Sequence, residues 1–438
     1  MSSKQYRARP HRIYAGPGGE SIIFNEETLE LTEVDGIHLR LLDLFRDPVA
    51  LETVLEVFGD DASAAREATE ELVELDLLTE TVLRRYLTLV DLKPKIRAFR
   101  VVLTEQCNLR CAECFVTKNQ DRLRTMDPET LERVIRQSIP YGAVERLTYH
   151  FFGGEPLIRF DYIKRAVEIA DEAVADGRML PPLYTITTNL TLLDDEILSF
   201  FKERDVRVGV SVDGPEQLNN TLRMYVNGAG SYADVERNYR RLVDVGIAAH
   251  VLITPHPAYL EELPGIFRAV LARFPMQTVT INTPLHHQTL AWTVPGDVYA
   301  RQLVEVMRIA QEHGISVDSA ASPPLAALAH GIRREGPCAL TADRIMASVS
   351  PDGRMSFCSQ KWHEEIVLKQ GPGDSKATIP VRRSDECVTC EARHICGGPC
   401  PAHQRIANAQ IDTNKCDFMR TLLQEVAGNV DLFLGQEP

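Results

Sequence analysis

The stretch Arg100-Val-Val-Leu-Thr-Glu-Gln-Cys107-Asn-Leu-Arg-Cys111-Ala-Glu-Cys114 decides how the rest of the chain is read. Phe99 to Thr104 is a short apolar, β-branched run that predicts a strand, and it ends in a loop bearing three cysteines at C-x3-C-x2-C. Three thiolates on one short loop can hold three irons of a cubane cluster, because such clusters take cysteine thiolate ligands. The fourth iron then has no protein ligand and is open to a small molecule. Two other readings use the same residues. One is part of a zinc site, although structural zinc almost always takes four ligands. The other is a disulfide, which sits poorly in a chain with no secretory signal.

The loop spacing resembles that of the radical SAM superfamily. The resemblance implies that Cys107, Cys111 and Cys114 ligate a 4Fe–4S cluster whose open iron chelates S-adenosylmethionine (SAM) through its amino and carboxylate groups. One electron from the cluster would cleave SAM to methionine and a 5′-deoxyadenosyl radical. The cofactor carries the hard chemistry, and the protein holds a substrate C–H bond in line. The position before the last cysteine, usually aromatic in that family, is Glu113 here, and Phe115 follows it.

Composition bounds the alternatives. A chain of 438 residues has room for two to four domains, each with its own core. The formal net charge of −14 argues against a general nucleic-acid binder, which needs a basic face. No apolar run is long enough to span a bilayer, and Met1-Ser-Ser-Lys-Gln does not read as a signal peptide, so no membrane partner is expected. Ten cysteines in such a chain point to metal or catalysis rather than to a disulfide framework, and a reducing cytoplasm is the natural compartment.

The first ninety residues read as small strands followed by three helices. Lys4 to Arg12 is basic and expected to fray. Strands are expected at Arg12–Ala15, Glu20–Phe24 and Thr28–Val34, around a Gly16-Pro-Gly-Gly turn. Helices are expected over Gly36–Phe45, Val49–Phe58 and Ala62 to about Leu78, the last with Leu72, Leu75, Leu77 and Leu78 on its apolar side. This is a winged-helix outline. A DNA-binding unit shares it, but its third helix should offer Arg and Lys to phosphates, and here Ala65 to Asp76 is acidic. By order of elements the segment resembles the leader-peptide-binding domain (RiPP recognition element) of enzymes that modify ribosomally made peptides. That implies a precursor leader added as a strand to a sheet edge, with the Thr28–Glu33 strand and the Ala65–Leu75 face as the exposed candidates. A purely structural cap remains open as well. The unit is placed at residues 1–90.

From Lys95 to about His313 strands and helices alternate, with strands at Phe99–Thr104, Arg146–Phe152, Leu183–Thr188, Val206–Val212, Ala248–Thr254 and Thr278–Asn282. Six such units give an α/β fold matching the partial (β/α)6 barrel of the radical SAM family, placed at residues 96–315. Chemistry in such barrels sits at the carboxyl ends of the strands. The second strand ends in Gly153-Gly154-Glu155-Pro156, where glycines admit close approach of a ligand and Glu155 offers an ammonium acceptor. The resemblance implies that this segment holds the SAM amino group. Asn189 ends the third strand, and Ser211 and Asp213 at the end of the fourth offer hydroxyl and carboxylate groups suited to ribose and carboxylate contacts; by the same resemblance Arg223 is the counterpart of an arginine that binds the SAM carboxylate in similar enzymes. Tyr149, His150 and the His286-His287 pair read as structural groups.

The remaining cysteines are Cys338, Cys358, Cys387, Cys390, Cys396, Cys400 and Cys416, with a Pro351-Asp-Gly353 turn before the second. Paired zinc ribbons are one reading, but seven ligands fill two tetrahedral sites poorly. The run C-x2-C-x5-C-x3-C with an outlying cysteine is similar to the SPASM extension of peptide- and protein-modifying radical SAM enzymes, here over residues 330–438. The resemblance implies two auxiliary 4Fe–4S clusters. Cys387, Cys390, Cys396 and Cys416 would complete one, and Cys338, Cys358 and Cys400 would hold the other, its last iron open or taken by an oxygen such as that of Glu335.

With all ten cysteines so assigned, none is left to return a hydrogen atom to a substrate radical as radical epimerases do. The expected function is therefore an oxidative one: a SAM-dependent oxidoreductase that abstracts hydrogen from a ribosomally made precursor peptide and closes a thioether or carbon–carbon cross-link. It would be fed by a reducing partner such as flavodoxin or ferredoxin. Formylglycine formation, epimerisation, a cluster-bearing redox regulator that never cleaves SAM and a peptide-binding chaperone with a degenerate barrel are the alternatives.

Overall fold

The structure is a computed structural model that describes residues 5–16, 19–79, 95–112, 114, 116, 123–282, 294–334, 336, 344–356, 387, 390–398 and 413–434. Glu113, Phe115, the His286-His287 pair, Glu335, Cys338, Cys358 and Cys400 lie outside the described residues.

The N-terminal part begins with β1 (Gln5–Ala8), β2 (His11–Ala15), β3 (Ser21–Asn25) and β4 (Leu31–Val34). It continues with α1 (Gly36–Leu44), β5 (Val49–Ala50), α2 (Leu51–Glu56), α3 (Ala62–Glu74) and β6 (Leu78–Thr79). β2, β3 and β4 form one antiparallel sheet in that order. The opening segment does not fray. β1 is the middle strand of a second sheet, pairing with both β5 and β6. The third helix ends earlier than its leucines suggest, because Asp76 takes a left-handed φ of 56° and sends Leu77 and Leu78 back along β1. Its apolar side is also not a free surface. Ala65, Ala68 and Leu72 are buried with Leu41, Phe45 and Val54 in the module's own core.

β3 is shared between two cores. Ile23 lies in the N-terminal core with Val34, whereas Phe24, its neighbour, belongs with Leu29 to the large core of the rest of the chain. Alternate residues of a strand point to opposite faces, so one strand serves both.

The large sheet has nine strands in the order β13-β12-β11-β10-β9-β8-β7-β14-β15. Seven consecutive ones are parallel: β7 (Lys95–Thr104), β8 (Thr148–Gly153), β9 (Leu183–Thr188), β10 (Arg207–Ser211), β11 (Ala249–Ile253), β12 (Thr278–Ile281) and β13 (Ser316–Ser319). β14 (Arg344–Val349) runs parallel to β7 on its free side, and β15 (Met355–Ser356) turns back along it. The two end strands do not pair with each other, so the arc is an open barrel. The expected six strands are all present within a residue or two at most ends. β7 starts earlier, at Lys95, and β13 and β14 extend the sheet on either side.

Helices α4 (Pro128–Ser138), α5 (Phe160–Ala175), α6 (Asp195–Glu203), α7 (Glu216–Leu222), α8 (Tyr232–Asp244), α9 (Leu263–Leu271), α10 (Gly296–Glu312) and α11 (Ser322–Ala329) follow the strands. Their starts are marked locally. Asp127 accepts a 2.8 Å hydrogen bond from Thr130 N with proline at the first position of α4, and Asp194 caps α6 through Ile197 N. One strand face packs on these helices through Phe99, Val101, Leu103, Tyr149, Phe151 and Ile186. The opposite face is polar: Arg100, His150 and Thr185 stand side by side across β7, β8 and β9. At the C-terminus α12 (Arg393–Cys396), α13 (Thr413–Ala427) and α14 (Val430–Leu434) pack back on the barrel, α13 lying along α10.

Candidate active site

The cysteine loop is fastened at both sides. Gly154 N donates to Thr104 O and Glu155 N to Gln106 O, each at 2.8 Å, zipping the turn after β8 to the chain leaving β7. Beyond Cys107, Arg110 N donates to Met224 O and Ala112 N to Leu222 O, both at 2.8 Å, so the loop pairs with the segment after α7. Arg223 is thereby laid beside Cys111.

The two glycines leave the loop room to pass. A Cβ on Gly153, at φ +153°, would stand 2.1 Å from Thr104 O, and one on Gly154 would stand 2.3 Å from Gln106 O. Glu155 is likewise turned inward. Fully buried, it accepts hydrogen bonds from Thr188 Oγ1 at 2.7 Å and Leu157 N at 3.0 Å on Oε1, and from Asn189 N at 2.8 Å on Oε2. Burial pushes its pKa up to about 7 despite those donors. Its side chain binds the ends of β8 and β9 together.

Asn189 sits between the turn and the cysteines. Its Nδ2 donates to Asn108 Oδ1 at 2.9 Å and approaches Cys107 Sγ at 3.7 Å, while Leu109 N donates to the same sulfur at 3.4 Å. Asp213, almost fully buried, is committed to Arg223 rather than to solvent. Arg223 Nε and Nη2 donate to its two oxygens at 2.5 and 3.1 Å, and Thr254 N donates to it at 2.8 Å. This two-point clamp leaves Arg223 Nη1 directed at Cys111 Sγ, 3.8 Å away. Ser211 is half-buried at the end of β10. Below the loop, Val102, Val116, Phe152 and Cys114 form a small apolar floor.

Cys107, Cys111 and Cys114 lie within electrostatic reach of one another. Burial, then Glu155, then the two other cysteines push the Cys107 thiol up to about 12. As protein alone, the site therefore resists the thiolates that it gathers. A bound cationic centre reverses this, since a coordinating thiol is deprotonated outright. Among the described residues no three His, Cys, Asp or Glu side chains converge on a point that one metal ion could share. What the loop fits is a larger group, each thiol taking its own iron, with Asn189, Leu109 N and Arg223 as donors around the sulfurs.

Four further cysteines form a second group. The Cys416 thiol, on the first turn of α13, is pushed up to about 11 by burial, then by Cys396, with Cys387 and Cys390 contributing the same way. Arg420, one turn on, hydrogen-bonds the Cys390 side chain.

Sequence reasoning missed several members of this arrangement. Asn108 and Thr188 act through hydrogen bonds that no local pattern signals. Glu105, fully buried beneath the loop, accepts from Arg124 Nη2 at 3.0 Å, and Arg124 Nη1 reaches Asp352 at 2.8 Å in the turn between β14 and β15. His150, read as structural, is half-buried with Nε2 3.0 Å from Thr187 Oγ1, and desolvation followed by Arg100 and His250 holds its pKa well below the ordinary histidine value. Tyr149 is equally structural, its hydroxyl 2.5 Å from Ser138 Oγ.

An open parallel barrel carrying three thiols on the loop after its first strand defines a radical SAM domain, and residues 101–270 match the Radical SAM superfamily. Residues 101–270 thus form a radical SAM domain, a class whose members act through SAM and a 4Fe–4S cluster. Among curated relatives, an uncharacterised protein of Methanocaldococcus jannaschii is 32% identical over 164 residues, covering 36% of this chain and 54% of that one. A serine-type anaerobic sulfatase-maturating enzyme of Klebsiella aerogenes is 23% identical over 328 residues, covering 69% of this chain and 78% of that one. The chain therefore spans about half the length of the first of these and most of the second. Two solved structures share the fold. anSMEcpe with bound AdoMet and the Kp18Cys peptide has a TM-score of 0.61 at 18% identity, covering 75% of this chain and 96% of that one. Streptococcus suis SuiB bound to the precursor peptide SuiA has a TM-score of 0.51 at 15% identity, covering 90% of this chain and 95% of that one. Among the described residues no helix is long and apolar enough to cross a membrane.

Proposed function

We propose that the chain is a peptide maturase: it binds a ribosomally made precursor, abstracts a hydrogen atom from a core residue and closes an oxidative thioether or carbon–carbon cross-link. In this reading residues 1–90 take the leader, 96–315 form the radical-generating barrel and 330–438 carry the auxiliary clusters. The observation that carries it is the second thiol group, Cys387, Cys390, Cys396 and Cys416, in a chain that also has a sheet module ahead of the barrel. Cys416 lies within electrostatic reach of the other three, and four such thiols would complete one 4Fe–4S cluster and give an electron a way out, which an oxidative cross-link requires. The fold likeness to SuiB, solved bound to the precursor peptide SuiA, covers 90% of the chain.

Cluster and SAM, when bound at Cys107, Cys111 and Cys114, supply a 5′-deoxyadenosyl radical. The chain's own residues do the rest. Asp213 fixes Arg223 so that one guanidinium nitrogen faces the cluster side, where a SAM carboxylate would lie. The backbone of Gly153–Glu155, held by the Glu155 clamp, fixes the height of the loop. Asn189 donates at Cys107. The apolar floor of Val102, Val116 and Phe152 keeps water from beneath the cluster. A reduced flavodoxin or ferredoxin would deliver the first electron.

Formylglycine formation is the second reading, favoured by the sulfatase-maturating relatives. Incubating reduced, cluster-loaded protein with SAM and a small peptide encoded beside its gene separates the two. Peptide-stimulated 5′-deoxyadenosine with loss of two hydrogens and an unbroken cross-link on tandem mass spectrometry is the expected result. A free aldehyde on a cysteine or serine would replace the cross-link by formylglycine. No cleavage with full iron would remove the maturase reading.

A further inference from the structure

Glu26, the residue after β3, carries a carboxylate into the interior, where it is 3% exposed. A buried carboxylate is costly unless paired, and this one is paired twice. Oε1 accepts from Arg12 Nε of β2 at 2.8 Å, and Oε2 meets Arg393 Nη2 at 2.6 Å. Arg12 belongs to the N-terminal module, whereas Arg393 opens α12, the helix that ends in Cys396. Buried ion pairs are weak sources of net stability, and their best-attested use is to fix one packing register over others. The register at stake here is that of α12.

α12 cannot hold its own position. It is a single turn of four residues, too short to persist alone. At its start Arg393 is bound by Glu26, and Arg393 Nη1 also reaches back to Cys390 O at 3.5 Å. At its end Arg334 Nη1 donates to Ile395 O at 3.0 Å, while Arg334 N donates to His394 O at 2.8 Å. Arg333, the next residue, donates from Nη2 to Glu27 O at 2.7 Å. Both ends of α12 are thus tied to one short turn, Asn25–Leu29, directly through Glu26 and again through Arg333 and Arg334. The turn is itself braced. Asn25 Oδ1 accepts from Glu27 N at 2.9 Å and Thr28 N at 3.2 Å, and Asn25 Nδ2 donates to Asp76 O at 3.0 Å. Arg9 joins Glu27 to Asp76 through two contacts of 3.0 Å.

We propose that this turn is part of the second thiol site: Glu26, acting through Arg393, is a positioning residue that holds Cys390 and Cys396 at the separation a shared 4Fe–4S cluster requires. This rests on the reading of Cys387, Cys390, Cys396 and Cys416 as cluster ligands. Groups that orient the ligands of a metal site from behind are costly to remove, typically about 10–100-fold in metal affinity or activity. The module that takes the leader therefore also braces the electron's exit, whereas the cysteine loop after β7 stands apart from the brace.

The test compares iron content and the EPR spectrum of the reduced clusters in the full-length, anaerobically reconstituted chain and in Cys416→Ala, Glu26→Gln, Arg393→Met and Glu27→Gln. Cys416→Ala marks the signal that belongs to the second group. Glu26→Gln should lose that same signal by about tenfold or more, while keeping the signal of the cysteine loop and its SAM cleavage. Arg393→Met should do likewise, and the double variant with Glu26→Gln should lose no more than either, because the two residues act through one contact. Glu27→Gln breaks only the ion pair with Arg9, inside the module, and should leave both signals in place. Retention of the Cys416-dependent signal in Glu26→Gln, its equal loss in Glu27→Gln, or additive losses in the double variant overturns the inference and leaves the cluster reading intact. No signal lost in Cys416→Ala overturns the cluster reading itself. Should Glu26→Gln fail to fold, Arg393→Met decides by the same outcomes.

Discussion

Gly154 has no room for a side chain. Its alanine variant must move Gln106 O, which is backbone of the cysteine loop itself. Gly154→Ala is expected to cost about 1–3 kcal/mol in stability and to lose the iron bound by Cys107, Cys111 and Cys114 while keeping that of the second group, as iron analysis and EPR would register. Asp213 gives a second prediction. Asp213→Asn breaks the two-point clamp on Arg223 without changing size, and a small misplacement at this distance from the chemistry costs on the order of 100-fold. 5′-Deoxyadenosine formation should fall by about that factor with iron content unchanged. Glu155 supplies a pH dependence. Its folded pKa of about 7 lies above the ordinary 4.5, so the folded chain binds the proton more tightly. The resulting stability is full below pH 4.5 and is lost as pH rises through 7, about 3 kcal/mol in all. In cluster-free protein, urea melts should show this slope for the native chain and a flatter one for Glu155→Gln. Equal slopes would mean that Glu155 is not the group responsible.

At the level of elements, the buried Glu105 ties the first barrel loop, through Arg124, to the turn between β14 and β15. Arg124→Ala removes a guanidinium paired with a buried carboxylate, and such losses run to about 3–5 kcal/mol. A drop of that size in thermal or chemical melts is expected, with Arg124→Lys recovering part of it. A change below ~1 kcal/mol would mean that Glu105 is neutral when buried. The same pair shows where the sequence stops being legible. Parallel strands flanked by helices announce themselves through apolar runs, so β7 to β12 could be placed from local pattern. β13 is Ser-Val-Asp-Ser, too short and too polar for such a signal, and it is defined by pairing with β12. β14 joins β7 across more than two hundred residues, a neighbour relation that no window contains. In the site, residue types were legible and their partners were not. Asp213 and Arg223 were both picked out, yet as separate ligand contacts rather than as one clamp. That Gly153 and Gly154 also make way for the chain's own backbone was not legible, because Thr104 and Gln106 lie about fifty residues away.

For the molecule as a whole, the proposed function together with a net charge of −14 favours a basic leader. Its binding should weaken several-fold between low and high salt, a dependence that fluorescence anisotropy with a labelled precursor would measure. Salt-independent binding would instead assign the affinity to main-chain pairing at a sheet edge. Swapping recognition modules between relatives is the obvious way to redirect such an enzyme, and β3 bears on whether that can work. Ile23 closes the core of the module and Phe24 that of the barrel side, so the seam between the two runs through the thickness of a single strand. A graft cut at any loop would carry one half of that seam to a host shaped for another. Transplanting the module here amounts to transplanting the wall behind it, and the practical unit of exchange is the strand together with the apolar surface that receives Phe24.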